Sequence, residues 1–152
     1  MTDDAVFDGL VRQAIAASIR RRGVVPTIAQ IASDMGAAPA AVDASFARMI
    51  AAHVFIPKRE SREIYSYNPF CAEPTDFRVR SDGREWWALC GWDALGIPAA
   101  LGAAGTVETS CADCGDRIVI DVDRDGTAVS NGGAVLNIGV RALDFWTDIY
   151  FT

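Results

Sequence analysis

Arg84-Glu85-Trp86-Trp87-Ala88-Leu89-Cys90-Gly91-Trp92-Asp93-Ala94-Leu95-Gly96-Ile97-Pro98-Ala99-Ala100-Leu101 is the most apolar segment of the chain, and its reading decides the fold. Wound at 3.6 residues per turn, Trp86, Trp87, Leu89, Cys90, Trp92, Leu95 and Ile97 cover nearly every side of a helix, which Pro98 interrupts or restarts. A helix that is apolar all round has to be buried. The sequence therefore predicts a central helix over 84–101 packed among other elements.

Upstream, Phe7, Leu10, Val11, Ala14, Ile15 and Ile19 recur at helical spacing, and the run closes on Arg20-Arg21-Arg22-Gly23, which suits a helix C-terminus. Pro26-Thr27 opens a second helix, Ile28–Met35, closed by Gly36. Ala38-Pro39 starts a third, with Val42, Phe46, Met49 and Ile50 on its inward face. His53–Pro57 and Ile64–Tyr67 read as strands flanking the charged turn Lys58–Arg62. Three helices and a hairpin make a winged-helix-like unit over residues 1–68. Asn68-Pro69 and Glu73-Pro74 mark a linker, after which Asp76–Arg80 is a candidate strand turning at Ser81-Asp82-Gly83. Beyond Gly105 the pattern becomes β, with strands expected at Thr106–Ser110, Arg117–Val122, Ala134–Ile138 and Phe145–Phe151. The expected fold is α+β, with a second, small mixed unit over 69–152 in which an antiparallel sheet surrounds the buried helix.

The 152 residues suffice for a packed core, half of them being hydrophobic. Met1–Asp8 carries three aspartates, and no apolar run approaches membrane-spanning length, so the expectation is a cytoplasmic protein without a membrane segment. In that reducing compartment Cys71, Cys90, Cys111 and Cys114 are expected as free or metal-binding thiols rather than disulfides. The net charge of −6 is uneven: 8 basic and 7 acidic residues precede Asn68, and 6 and 13 follow. An acidic second half repels phosphate, which argues against nucleic acid as a partner.

Two constellations can carry chemistry. Cys90 and Asp93, three apart, share one face of a helix. A buried carboxyl gains pKa and can carry a proton near neutrality, while a bound cation would hold Cys90 as thiolate. The plainer reading makes Cys90 a small core residue and Asp93 a helix cap. Cys111-Ala112-Asp113-Cys114-Gly115 has the spacing that lets two thiolates reach one metal, but it is half a zinc site, with Cys71 and Cys90 the candidates for the other half. The sole histidine, His53, reads as a strand residue and the four tryptophans as core.

The run from Trp86 to Gly102, followed by Val107-Glu108-Thr109-Ser110-Cys111, resembles the organomercurial (alkylmercury) lyase family. The resemblance rests on a tryptophan-rich lead, Cys-x-x-Asp-x-Leu, a Pro-Ala-rich segment ending in glycine, and a cysteine after a short β spacer. It implies protonolysis of a carbon–mercury bond without an added cofactor, mercury being part of substrate and product. Cys90 would be the mercury-binding catalytic thiol, Asp93 the carboxyl that handles the proton, and Cys111 a buried structural cysteine. Cys114 and Cys71 gain no role from it. The implied partners are an organomercurial, cellular or added thiols, and a mercury reductase as acceptor of Hg²⁺. Soft mercury prefers thiolate ligands, and the developing carbanion needs an acid.

The family takes a second cysteine from a later strand, and this sequence has none after Cys114. The expected last strand, Phe145–Phe151, resembles the one that precedes that thiol. Three explanations stay open: a truncated reading of the gene, a selenocysteine codon taken as a stop, or a protein that has lost the reaction. The alternative function is a metal- or metalloid-responsive regulator using the winged helix on DNA. A thiol hydrolase finds less support, because the only histidine is distant in sequence from Cys90.

Overall fold

The computed structural model describes residues 3–150. The fold is α+β. Helices α1 (Asp3–Arg22), α2 (Ile28–Met35) and α3 (Pro39–Ala51) are followed by strands β1 (Ile56–Pro57), β2 (Ile64–Tyr67), β3 (Phe70–Cys71), β4 (Phe77–Ser81) and β5 (Arg84–Ala88). Helix α4 (Gly91–Leu101), strands β6 (Gly105–Ser110) and β7 (Arg117–Val122) and a 3₁₀ turn over Ala142–Thr147 complete it. No described helix is long and apolar enough to cross a membrane.

The three helices form where the sequence places them. Thr27 accepts from the Gln30 N–H while Gln30 accepts from the Thr27 N–H, a reciprocal cap that starts α2, and Gly36 at φ 62° ends it. Val11, Ile15, Ile19, Ile31, Val42, Phe46 and Met49 form the shared core. Around its rim Asp8 takes Arg48 and Ser45 from α3, and Asp34 takes Arg21 and Arg22 from α1. Leu10, expected inward, is half exposed.

All seven strands join one antiparallel sheet in the order β1-β2-β3-β5-β4-β6-β7. The β1–β2 hairpin is thus not a free wing: β2 continues through β3 into the strands that carry the site. Arg84 ties helices to sheet by donating to the Arg20 and Arg21 carbonyls at the end of α1, and Arg20 in turn donates to the Ala100 carbonyl of α4.

The reading of 84–101 as one helix is corrected. Residues 84–88 are a strand, and the helix begins only at Gly91. Asp82 and Gly83 both have positive φ (53° and 69°), the geometry of a two-residue hairpin that returns the chain antiparallel to β4, Ser81 opposite Arg84 and Phe77 opposite Ala88. Trp86 and Trp87 therefore lie on opposite sheet faces, and Trp86 Nε1 donates to the Ser81 carbonyl.

Two further strands fail to form. Residues 134–138 are irregular and residues 142–147 are a 3₁₀ turn, so neither expected late strand exists over 134–150; the remainder of the second lies outside the described residues. Val135, Ile138 and Leu143 stand at 89%, 55% and 90% exposure. Apolar residues make a strand only where a neighbour supplies backbone partners, and the outer edge of β7 is already met by Ala128–Ser130. His53 is likewise not in a strand: it follows α3 at φ 56° and stacks on Trp146 at 4.0 Å.

Gly105 fixes the distance between β4 and β6. A methyl group there would lie 2.7 Å from the Arg80 carbonyl oxygen and 2.9 Å from Ser81 Cβ, both held by the sheet. Gly105→Ala is expected to cost about 2 kcal/mol, in the range of core overpacking, measured by urea denaturation. A variant as stable as the parent would show that the two strands can part without cost.

Candidate functional site

Cys90 stands at the junction of β5 and α4. Its backbone is still extended (φ −145°, ψ 175°), and it occupies the N-cap position, so its side chain points among the free N–H groups of the first helical turn. Asp93 is the third helical residue. N-cap and third residue are the two positions whose side chains approach each other at a helix start. The strand-and-helix junction therefore brings the pair together in a different way from the single helix expected.

The pair is electrostatically unusual. Asp93 is only 8% exposed, and burial pushes its carboxyl up from 3.8 to about 6, against a smaller downward pull from the Cys90 thiol. Burial also pushes the Cys90 thiol above its usual value; the backbone N–H groups of Asp93 and Trp92 oppose this, and the Asp93 carboxylate adds to it. At neutral pH the site holds a thiol beside a carboxyl ready to exchange a proton. A soft cation arriving at sulfur reverses the balance by favouring the thiolate.

The surroundings are apolar. A methyl group on Gly91 would lie 2.7 Å from Leu136 Cδ1 and 3.4 Å from the Phe77 ring, so the 134–140 segment crosses directly over the start of α4. Trp92 extends beside it, two-thirds exposed. Further along the helix Gly96 abuts Pro69, and the Gly126 turn packs on Leu95 and Ala99. An open cavity of about 850 Å³ lies at the other end of the sheet, between the Ser81–Arg84 turn, Gly105 and Asp121–Asp123, away from Cys90.

All four cysteines are free, in three settings. Cys71 is buried, donates to the Tyr65 carbonyl and has its pKa raised by burial, as befits an inert core thiol. Cys111 is half-buried, rather than the buried residue the resemblance implies, and Cys114 is exposed. Backbone N–H groups of Cys114 and Asp113 hold the Cys111 thiol below the usual range. Among the described residues no three His, Cys, Asp or Glu side chains converge as a metal-binding group, so Cys71 and Cys90 do not complete a site with Cys111 and Cys114.

The basic residues that a nucleic acid would need are engaged within the protein. Arg21 and Arg22 pair with Asp34, Lys58 with Glu73, Arg62 with Asp43, and Arg59 lies 4.2 Å over the Tyr150 ring. The exposed positions of α3 are Pro39, Ala40, Ala41, Ala44 and Ala51. One charged cluster escaped the sequence reading: Glu108, 9% exposed, is gripped by Arg78, Arg80 and Arg117, which lower its pKa, Arg78 foremost. Its signal was the alternation of Arg78 and Arg80 along β4, which puts both on one sheet face.

The profile of the alkylmercury lyase family matches residues 70–151, more than half of the chain. Among solved structures, the one titled "Crystal structure of the mercury-bound form of MerB2" is 19% identical, with 88% of this chain and 68% of that one aligned at a TM-score of 0.61. At that identity the likeness is one of fold. No curated protein matches.

The Asp93 environment has a measurable cost. Its folded pKa lies above its unfolded one, so folding is favoured with the proton on, and stability falls as pH rises from 3.8 through about 6. The full displacement is worth roughly 3 kcal/mol. Asn cannot ionise, so Asp93→Asn is expected to gain roughly 2 kcal/mol relative to the parent between about pH 4.5 and pH 7.5, read by denaturation at both. A pH-independent difference would mean that the carboxyl is not desolvated.

Proposed function

Since the chain belongs to the alkylmercury lyase family, we propose that it cleaves carbon–mercury bonds by protonolysis, with Cys90 as the mercury-binding thiolate and Asp93 as the proton carrier. The observation that carries this reading is the junction of β5 and α4, where a thiol and a buried carboxyl of pKa about 6 occupy the paired positions of one helix start under an apolar cover.

The chemistry follows from those two groups. As R–Hg⁺ meets Cys90, the sulfur–mercury bond forms and the thiol proton passes to the Asp93 carboxylate. Asp93 then protonates carbon as the carbon–mercury bond breaks, R–H leaves, and Hg²⁺ stays on sulfur. No electrons change hands between protein and substrate. A second thiolate, such as that of a cellular or added thiol, raises electron density on mercury and eases the break, and such thiols or a mercury reductase then take the ion. Phe77, Leu136 and Trp92 give the organic group an apolar lodging and thin the water around the developing carbanion.

A regulator acting on DNA draws less support. Phosphate contact would require Arg21, Arg22 and Arg62 to give up their carboxylate partners, and the exposed alanines of α3 offer no hydrogen bond to a base edge.

The test follows phenylmercury or methylmercury cleavage with excess thiol, comparing this chain with a form continued by one cysteine at position 153. Cleavage is expected, faster in the continued form, and Cys90→Ala should abolish it in both. Asp93→Asn should keep organomercurial binding but lose at least about 100-fold in rate, the usual worth of a positioned acid. A continued form that binds the organomercurial and leaves it intact would replace the lyase with a mercury-binding protein.

A further inference from the structure

The loop between β6 and β7 holds the second thiol constellation, and the Cys90 site does not use it. Two backbone hydrogen bonds draw the loop tight: the Cys111 N–H donates to the Asp116 carbonyl at 2.8 Å, and the Gly115 N–H to the Cys111 carbonyl at 2.9 Å. Gly115 takes φ 77°, a left-handed turn with open space around it. Cys111 and Cys114 thus sit on one closed turn, the first half-exposed, the second exposed, and both free.

The sheet register places this turn. Phe77 pairs with Ala88, Arg78 with Glu108, and Ser110 with Arg117, so the ends of β5 and β6 and the start of β7 lie at the same end of the sheet. Cys90 leaves that end two residues after Ala88, and Cys111 leaves it one residue after Ser110. Strands β5 and β6 are separated only by β4, a lateral step of about 10 Å. The loop and the candidate site therefore open at neighbouring points on one edge.

The ligand count selects the ion. Zinc in a closed protein site takes four ligands, and among the described residues no third His, Cys, Asp or Glu joins the two sulfurs. Two thiolates alone suit a soft cation content with two ligands, and the ion that the proposed reaction leaves on Cys90 is of that kind.

We propose that Cys111 and Cys114 form a surface dithiol that receives Hg²⁺ after cleavage, a second mercury site distinct from Cys90. The proposal rests on the lyase reading for the source of the ion, but the binding itself does not. The exchange balances without redox chemistry: Hg(SR)₂, or Hg²⁺ held by Cys90 and one small thiol, gives its two sulfur–mercury bonds to Cys111 and Cys114. The two protons these cysteines lose go to the departing thiolates. The N–H groups of Cys114 and Asp113 that face the Cys111 sulfur ease its deprotonation.

The experiment titrates the full-length Cys90→Ala chain with HgCl₂ in excess reduced glutathione, then counts bound mercury by native mass spectrometry after desalting. One Hg²⁺ per chain is expected, and Cys111→Ser with Cys114→Ser in the same background should lower retention at least roughly ten-fold, because a chelating pair outcompetes single thiols. Cys71 is present in both proteins and cannot account for the difference. Retention unchanged by the two serines overturns the proposal, as does a Cys111–Cys114 disulfide persisting in reduced glutathione. In the parent chain, the two serines should leave a single turnover of phenylmercury cleavage unaltered and slow transfer of Hg²⁺ off Cys90. If cleavage is absent while Cys90→Ala still holds one Hg²⁺ through the pair, the lyase reading fails and the dithiol site stands.

Discussion

The pairing of β5 on both edges is the constraint on which the site depends. The strand meets β4 along its whole length, from Ser81 opposite Arg84 to Phe77 opposite Ala88, and meets β3 where Trp87 lies opposite Cys71. A strand hydrogen-bonded on both sides cannot slide by one residue without turning every side chain to the wrong face. Its C-terminal end is therefore fixed, and Cys90, two residues on, starts α4 from a fixed point. Asp93 follows by helical geometry alone. The three N-terminal helices contribute through Arg84, which fastens the other end of the same strand to the last turn of α1.

How much of this was legible in the sequence depends on whether the signal was local. The Pro26-Thr27 start and Gly36 stop of α2, the Ser81-Asp82-Gly83 turn and the β-rich run 117–122 are each written within a few residues, and α2, the turn and β7 stand where expected. The segment 84–101 misled because Trp86, Trp87, Leu89 and Trp92 satisfy a buried helix and a buried strand equally, and apolar content alone cannot choose. The two-residue turn before it and Gly91 within it held the answer. Residues 134–138 misled in the opposite sense: their apolar pattern describes a strand, but nothing local says whether a sheet edge is free to receive it. The pairing of Cys90 with Asp93 was legible from spacing, although the backbone achieves it by a cap position. The closeness of the Cys111 turn to Cys90 was not legible, since it arises from the register of three strands.

The two thiol settings differ in a way that suits successive tasks. At Cys90 burial holds the proton on the thiol, and in the proposed reaction the neighbouring carboxyl would receive that proton when a soft cation displaces it. At Cys111 the backbone N–H groups of Cys114 and Asp113 favour the thiolate. In the proposed scheme the buried thiol with its acid breaks the bond, and the more accessible pair exchanges ligands. Thiol exchange at mercury proceeds by attack of an incoming sulfur, so in the proposed scheme an ion held by Cys90 would leave faster if an attacking thiolate stood close by than if it had to diffuse in.

Asp93 shows why such a site is kept at a cost. A carboxyl exposed to water would ionise near 3.8 and hold no proton for a carbanion at neutral pH; the same group buried, at about 6, holds one in a useful fraction of molecules and takes another readily from Cys90. The burial that tunes it also makes its ionised form unfavourable in the fold, so the stability lost between pH 3.8 and about 6 and the proton held for the proposed reaction are two consequences of one desolvation. Asparagine at this position would avoid the electrostatic cost, and in the proposed reaction it is the inability of an amide to carry the proton that sets the carboxyl apart.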